Sequence, residues 1–312
     1  MEKALKELRA IVMRADDTWT ATGLPRVAMV RAEACSDQVY HPMVHLVLQG
    51  FKSLSIGEQI LRFVPATYFV VPVDLPALGQ VSGDAPGETY LALSLALDPG
   101  VIAAVLADLG ETDDAGDGKS FMVSAAGPEL IDAWLRMMRL IGRPPREVAL
   151  LAPMIEREIL LRVLQGAQGN MLRQLAHPDT RLSQVRRAID WIRGHVVEPF
   201  RVEPLAAMAG MSVATFYRHF RAVTAMTPIQ YQKRLRLLKA RRQLLFEPHN
   251  AASVAFSVGY ESASQFSREY ARMFGMPPAR DVARFKAPRV PPTVSLSAGP
   301  ESGAGPETTS RR

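Results

Sequence analysis

The chain has 312 residues, of which 48% are hydrophobic and 22% are charged, a composition typical of a globular protein with two domains. No run of about 18 uninterrupted apolar residues occurs, which excludes a membrane span and predicts no membrane partner. The N-terminal sequence MEKALKELRAIVMRADD lacks the apolar core of a signal peptide, so we expect a cytoplasmic protein. The single cysteine, Cys35, excludes an internal disulfide and a zinc site built from several cysteines.

The N-terminal half is predicted to be a β domain with flanking helices. Residues 1–20 have the pattern of a helix, and between Arg26 and Leu97 short apolar runs alternate with turn residues. Repeated short strands at this spacing indicate an all-β barrel or sandwich, and a closed barrel has an interior that holds a small ligand. The predicted strands are 27–30, 44–48, 53–56, 60–63, 68–71 and 90–97.

Helices and irregular segments are predicted after the strands. A helix begins at Pro99 and ends at Leu109, and the acidic stretch 111–119 is predicted to be a flexible loop. Two amphipathic helices follow at 128–141 and 145–165, and their apolar faces serve either dimerisation or the core of the domain. The predicted linker is 178–184, and residues 287–312 are predicted to be disordered because they have no apolar periodicity.

Positive charge is concentrated in the C-terminal third of the chain. Residues 179–286 contain 18 Lys and Arg against 8 Asp and Glu, a net charge of +10. The rest of the chain contains 19 against 23, a net charge of −4. A basic segment next to a mildly acidic one indicates that one domain binds a polyanion and the other does not.

An internal repeat is the most informative feature of this basic segment. The sequence LAAMAGMS at 205–212 corresponds to VAFSVGYES at 254–262. The two copies are 49 residues apart before the glycine and 50 residues apart from the serine onward, so the extra residue falls in a turn. Both copies then continue with the same order of aromatic residue, arginine, aromatic residue, methionine and proline.

Each copy has the properties of a helix-turn-helix unit, at about 202–221 and 251–272. Gly210 or Gly259 ends a short helix, because glycine adopts a left-handed conformation at little cost. Ser212 or Ser262 is then placed to cap the second helix. The buried stripe of that second helix is predicted from aromatic residues at i, i+4 spacing, namely Phe216, Phe220, Phe266, Tyr270 and Phe274.

The opposite face of each second helix is predicted to be exposed and to read base edges in a DNA major groove. Arginine bonds guanine, serine bonds donor or acceptor edges, and alanine contacts a thymine methyl group. The candidate base-reading residues are Ala214, Tyr217, Arg218, Ala263, Ser264, Ser267 and Arg268. The alternative for a single copy is a solvated helix face with incidental arginines.

A basic helix at 228–246 is predicted to connect the two units. Its length of roughly 28 Å suits a spacer that holds two recognition helices near the ~34 Å pitch of B-DNA. Its basic side chains either contact phosphates, which position a protein without reading sequence, or are solvated or paired internally. The candidate phosphate contacts are Arg221, Lys233, Arg234, Lys239 and Arg272.

Residues 188–286 resemble the AraC/XylS family of bacterial transcription regulators. The similarity rests on LAAMAGMS, on TPIQYQKRLRLLKARRQLL and on VAFSVGYESASQFSREYARMFGMPP. It implies base-reading positions at Ala214, Tyr217 and Arg218 in the first unit and at Ala263, Ser264 and Arg268 in the second. Ala214 and Ala263 are smaller than the side chains that the family often places there, so base readout at these two positions is expected to be slight.

The N-terminal half resembles the cupin-type sensor domain of one branch of that family, through YHP at 40–42, LQGFK at 48–52, YFVVPVDLP at 68–76 and YLAL at 90–93. The resemblance implies an α+β multidomain protein with a cupin-like effector-binding and dimerisation barrel at 1–177 and an all-α DNA-binding domain at 185–286. His45 is the candidate effector contact, and the alternative is a core histidine whose hydrogen bonds are satisfied.

Other classes of function fit the sequence less well. A metal-dependent cupin enzyme would use His41 and His45, but no histidine follows until His177, so no metal, cofactor or catalytic residue is expected. A DNA-repair fusion that accepts alkyl groups needs a cysteine cluster. A regulator without an effector, whose N-terminal half only dimerises, stays open. The expected partners are double-stranded promoter DNA, a second copy of the chain, a small-molecule effector and RNA polymerase.

Overall fold

The fold is seen in a computed structural model, which describes residues 1–16, 18–33, 38–82, 89–110, 122–246 and 250–286. Three features of the sequence lie outside the described residues: Cys35, the acidic stretch 111–119 predicted to be a loop, and the tail 287–312 predicted to be disordered.

The N-terminal part is rich in β-strands and begins with one helix. That helix, α1, spans Glu2–Val12. The strands follow in the order β1 (Thr20–Ala21), β2 (Val27–Ala32), β3 (Gln38–Tyr40), β4 (Met43–Gln49), β5 (Phe51–Ile56), β6 (Gln59–Phe63), β7 (Thr67–Val71), β8 (Leu75–Ser82), β9 (Tyr90–Ala96) and β10 (Ser124–Ala125).

These strands form two antiparallel sheets. One has the order β1-β2-β9-β4-β7-β10 and the other the order β3-β8-β5-β6. The sheets face each other across a shared core, where the rings of Phe63 and Phe69 lie 4.3 Å apart. Of the two architectures that the sequence predicts, the described strands form a sandwich rather than one continuous ring of hydrogen-bonded strands.

This half differs from the sequence-based predictions in the length of its first helix and in four further strands, β1, β3, β8 and β10. The helix predicted for residues 1–20 ends at Val12, and Thr20 pairs with Met29 in the sheet. Strand β8 was not predicted, because Pro76 and Gly79 interrupt the apolar alternation, yet it pairs with both β3 and β5. Its position in the middle of the smaller sheet brings the residues that precede it close to the C-terminal domain.

Helices cover the larger sheet and are fixed to it by buried polar contacts. They are α2 (Pro99–Asp108), α3 (Pro128–Met138), α4 (Pro145–Leu164) and α5 (Gly169–Ala176). The guanidinium of Arg26 donates two hydrogen bonds, of 2.9 and 2.6 Å, to the buried carboxylate of Glu156 on α4. The buried Gln168 accepts from the Val70 amide (2.7 Å) and donates to the Tyr68 carbonyl (3.1 Å), which anchors the start of α5 on β7.

The C-terminal part is all-helical. Its helices are α6 (Arg181–Gly194), α7 (Val202–Met208), α8 (Val213–Thr224), α9 (Pro228–Phe246), α10 (Ala251–Ser257), α11 (Ala263–Phe274) and α12 (Pro278–Lys286). Helix α6 begins four residues before the predicted domain start at 185, and the Thr180 hydroxyl caps it by accepting from the Ser183 amide. The break between the two halves is therefore short.

The two helix-turn-helix units belong to different hydrophobic cores. Phe216 and Phe220 of the first unit are continuous with the core of the β domain, whereas Phe266 and Tyr270 belong to a separate cluster. Helix α9 contributes to both, because its buried residues lie on more than one side: Leu235 packs in the first core, and Leu237 and Leu244 in the second. Leu245, near the end of α9, is only half-buried.

None of the helices within the described ranges is long and apolar enough to span a bilayer.

Candidate nucleic-acid interface

The turn between the two helices of each predicted helix-turn-helix unit is here called a corner, and the two corners are nearly identical in backbone geometry. Gly210 and Gly259 have φ angles of 66° and 86°, in the left-handed region that favours glycine. In each corner, the amide of the residue after the glycine donates to a carbonyl of the preceding helix. The distances are 2.9 Å from Met211 to Ala206 and 3.0 Å from Tyr260 to Ala255. This hydrogen bond ends α7 and α10 in the same way.

The predicted serine caps are present in both units. The Ser212 hydroxyl accepts from the Thr215 amide and the Ser262 hydroxyl from the Gln265 amide, each at 3.3 Å. Below the caps, the aromatic stripes of α8 and α11 are buried as predicted, except that Phe274 is only half-buried against the ring of Tyr270. The local sequence therefore orients α8 and α11 alike.

The candidate base-reading residues lie on the faces of α8 and α11 that point away from those stripes. Ala214, Arg218, Ser264 and Arg268 are exposed, whereas Tyr217, Ala263 and Ser267 are half-buried. Arg218 and Arg268 occupy the same position, 50 residues apart, in the two helices. The structure thus places an exposed arginine at the same position of the outer face in both units.

The candidate phosphate contacts are in different environments. Lys239 and Arg272 are exposed, and neither forms an ion pair within the described part of the chain. The Lys233 ammonium lies 2.7 Å from the carboxylate of Glu269 on α11. Lys239 and Arg272 are thus free to approach a polyanion, whereas Lys233 is engaged by an internal carboxylate.

Two arginines of α9 have structural roles. Arg236 donates to the carbonyls of Val196 (2.7 Å) and Gly259 (2.9 Å), which fixes the second corner to the segment that follows α6. Arg241 pairs with the buried carboxylate of Asp281, at 2.7 Å, and that carboxylate also accepts from the Tyr270 hydroxyl, at 2.6 Å. Burial and the Asp281 hydrogen bond raise the pKa of Tyr270.

The first unit is docked on the β domain through the turn between β5 and β6. The Arg221 guanidinium lies 3.1 Å from the Glu58 carboxylate, and Arg234 donates to the Gly57 carbonyl at 3.1 Å. Burial lowers the pKa of Arg234, and its Nη1 atom has no hydrogen-bond partner among the described residues. In this arrangement the β domain contacts the predicted phosphate-binding groups of both side chains.

Asp74, the residue before β8, anchors a second contact between the halves. Its buried carboxylate pairs with Arg193 of α6 and with His41, and its carbonyl accepts a 2.6 Å hydrogen bond from the Tyr231 hydroxyl of α9. Burial, followed by the Asp74 charge, raises the pKa of Tyr231 well above its ordinary value. No local pattern in the sequence marks Asp74 or Glu58, because their partners in the C-terminal domain are more than 100 residues away.

His45, the candidate effector contact, is fully buried between the sheets. Its Nε2 atom lies 2.7 Å from the Tyr90 hydroxyl oxygen, and burial lowers its pKa well below the ordinary value. His41 lies outside β4 and is exposed, so the two histidines do not share a strand face. Within the described ranges, no cluster of three or more His, Cys, Asp and Glu side chains is arranged to hold a metal ion.

Comparison with known proteins agrees with this architecture. Residues 23–171 match the model described as AraC-type transcriptional regulator N-terminus, and residues 205–284 match a helix-turn-helix domain model. The chain belongs to the AraC/XylS family. The family explains why a β domain precedes a tandem pair of helix-turn-helix units.

Relatives and solved structures resemble different parts of the chain. The HTH-type transcriptional activator RhaS from Escherichia fergusonii is 32% identical over 130 residues, 41% of this chain and 46% of that protein. RhaS from Salmonella paratyphi B is 31% identical over 127 residues. The chain therefore aligns with less than half the length of these curated relatives.

The fold of ToxT from Vibrio cholerae is similar to the whole two-domain arrangement. A 1.65 Å structure of ToxT covers 84% of this chain and 98% of its own, with a TM-score of 0.53 and 7% identity. At this identity the similarity concerns the fold alone.

The second corner has less space than the first, and this difference is testable. A Cβ atom on Gly259 would lie 2.4 Å from the Val197 carbonyl oxygen, whereas one on Gly210 would meet nothing within 4 Å. Gly210→Ala is expected to cost about 1 kcal/mol of unfolding free energy through backbone strain alone. Gly259→Ala is expected to cost at least twice as much, because the clash is added. Urea unfolding of both variants measures the difference, and equal losses would contradict it.

Proposed function

We propose that the protein is a sequence-specific DNA-binding transcription regulator that acts in the cytoplasm. The observation that carries the proposal is the pair of recognition helices, α8 and α11, each positioned by a left-handed glycine and a serine cap. Each presents an exposed arginine, Arg218 or Arg268, at an equivalent position. A pair of such helices matches the way helix-turn-helix proteins enter successive major grooves.

Helix α9 supports this proposal as a rigid spacer. Its 19 residues correspond to roughly 28 Å, and it packs on helices of both units, so it fixes their separation. Lys239 of α9 and Arg272 near the end of α11 are exposed and unpaired within the described residues, as phosphate contacts need to be. We assign base reading to Arg218 and Arg268 and phosphate binding to Lys239 and Arg272.

The assignment predicts that Arg218→Ala and Arg268→Ala each lose about 1–3 kcal/mol of binding free energy at one matched base pair. The operator is first obtained by selecting sequences from a random DNA pool with wild-type protein. Affinity is then measured at one salt concentration for the operator and for its single-base variants. Arg143→Ala, an exposed arginine in the β domain, is the matched control. Wild-type discrimination in both arginine variants would refute the base-reading role.

Phosphate contacts have a different signature in the same assay. Lys239→Gln and Arg272→Gln are expected to weaken binding to all sequences alike and to reduce the slope of log affinity against log salt by about one each. The salt slope separates these two roles because base readout does not depend on counterion release in the same way.

We further propose that a small-molecule effector bound in the β domain controls how the first unit is presented. ToxT, which shares the fold, has been solved with an unsaturated fatty acid bound. In this chain the docked first unit supports such control, because Glu58 pairs with a predicted phosphate contact, Arg221. DNA and the β5–β6 turn then compete for the same guanidinium.

This competition predicts that Glu58→Gln increases DNA affinity. The pair is exposed on both sides, and surface pairs contribute at most about 1 kcal/mol, so the expected gain is about two- to fivefold at low salt. Glu129→Gln removes the same charge from the β domain away from α8 and serves as the control. Equal DNA affinities of the two variants would show that the Glu58–Arg221 ion pair does not oppose DNA binding. That result would favour a regulator whose first unit binds DNA without being released from the β domain.

We also propose a homodimer formed through α4. Leu150 and Met154 are 72% and 66% exposed on this helix, on the side opposite its buried residues. Antiparallel packing of two α4 helices about a two-fold axis near Ala152 places Leu150 opposite Met154. It also places Glu147 opposite Arg157, so that apolar and charged positions are complementary at once.

Met154→Glu is expected to convert the dimer to a monomer, because two buried carboxylates would face the apolar centre of this contact. Ile60→Glu, a substitution of a side chain that is 66% exposed on β6, is expected to leave the oligomeric state unchanged. Sedimentation velocity over a range of concentrations measures both. A dimeric Met154→Glu protein would place the interface elsewhere.

A further inference from the structure

The interior between the two sheets contains a positive charge without a carboxylate partner. Lys52 of β5 is only 5% exposed. Its ammonium lies over the rings of Tyr40 and Tyr90, 4.8 and 5.4 Å from their centroids. No Asp or Glu of the described residues lies within ion-pair distance of it. Tyrosine rings attract a cation, but they offset only part of the cost of removing it from water.

The other buried charged side chains in the described residues each have an oppositely charged partner. They are all carboxylates, and an arginine pairs with each: Arg193 with Asp74, Arg26 with Glu156 and Arg241 with Asp281. Lys52 is the buried charge that this arrangement leaves without an oppositely charged group. An uncompensated buried cation is unfavourable for folding, so its presence calls for a function rather than a packing role.

A second polar group lies close to Lys52, on the opposite sheet. The Nδ1 atom of His45 is buried and has no hydrogen-bond partner within the described residues. Burial and the nearby Lys52 charge lower the pKa of His45, so its ring is neutral. When the Tyr90 hydroxyl donates to Nε2, the Nδ1–H group is available as a donor. Aromatic side chains surround the ring, with Trp19 at 5.4 Å and Phe69 at 4.8 Å.

We propose that Lys52 and His45 bind the carboxylate of a small, largely apolar monocarboxylic acid between the sheets. The Lys52 ammonium neutralises the carboxylate, and the Nδ1–H group of His45 donates a hydrogen bond to it. The aromatic surroundings contact the apolar body of the acid. One cation and one neutral donor match a single negative charge, whereas a phosphate dianion needs more donors. This inference rests on the proposed effector control and names the chemical class of the effector.

The test uses the full-length protein without DNA and two probe pairs, trans-cinnamate with cinnamamide and decanoate with decanamide. At least one carboxylate is expected to raise the thermal unfolding midpoint of the wild type by several degrees, and its amide is expected to leave the midpoint unchanged. Calorimetric titration then gives the affinity of that carboxylate. Lys52→Met is expected to reduce this affinity at least tenfold, and Lys6→Met, a substitution of an exposed lysine on α1, is the control.

A second measurement needs no ligand. Lys52→Met removes an uncompensated buried charge and keeps the apolar stem, so it is expected to unfold at a higher temperature than the wild type. A lower midpoint, or a variant that does not fold, would show that the ammonium is structural and would overturn the proposal. Wild-type carboxylate binding by Lys52→Met, equal binding of acid and amide, or no effect of either carboxylate on the wild type would also overturn it.

DNA binding is measured separately on the same preparations. Carboxylate binding without any sequence-specific DNA binding would refute the proposed function and leave this site standing. Specific DNA binding without carboxylate binding would refute the site and leave the proposed function standing.

Discussion

The C-terminal domain depends on one constraint, which is that α9 is buried on several sides. Helices α8, α10 and α12 pack on it, and so do β3 and β8 of the other half. A helix in that position has little solvated surface, and for this reason many of its basic side chains are used internally. Arg236 bonds backbone carbonyls, and Arg241 holds the buried Asp281. The relative position of the two recognition helices follows from this single packed element.

The two copies of the repeat differ in the residues that pack against them. Tyr231 and Asp281 occupy equivalent positions, 50 residues apart, three residues after the proline that begins each following helix. Tyr231 points into the β domain and bonds the Asp74 carbonyl, whereas Asp281 is closed off within its own unit by Arg241 and Tyr270. Among the described residues, the hydrogen bond from Tyr231 connects the first helix-turn-helix unit to the β domain, whereas the equivalent Asp281 is bonded only to residues of the C-terminal domain.

Local features of the chain were predictable from sequence, and long-range pairings were not. The glycine corners, the serine caps and the aromatic stripes follow from backbone preferences and i, i+4 spacing, and the structure confirms them except for the partial exposure of Phe274. Strand β8 was missed because Pro76 and Gly79 disrupt its pattern. Helix α4 was predicted through Pro153, which lies on its exposed side.

In the candidate nucleic-acid interface, too, the sequence predicted local features but not long-range pairings. Exposure of Arg218 and Arg268 follows from the helix period, but the roles of Lys233 and Arg234 depend on Glu269 and Gly57, which are distant in sequence. Two lysines or two arginines of the same helix can differ in environment, because one is solvated while the other is paired or buried. Which of these occurs depends on neighbours that are distant in sequence, and a single sequence does not reveal them. The sequence did not mark Lys52 as a candidate site residue for the same reason. Lys52 lies on β5, and the rings that contact it belong to β3 and β9.

Backbone atoms set the spacing between the two halves at the β5–β6 turn. Gly57 lies so close to Ala225 that an added Cβ would be 2.1 Å from the Ala225 carbonyl oxygen, and Ala225 itself has a left-handed φ of 55°. Substitutions of the surrounding side chains leave this backbone contact unchanged. A methyl group added at position 57, in contrast, would push the β5–β6 turn and Ala225 apart. A single substitution at position 57 would therefore separate the first helix-turn-helix unit from the β domain without changing the exposed faces of α8 and α11.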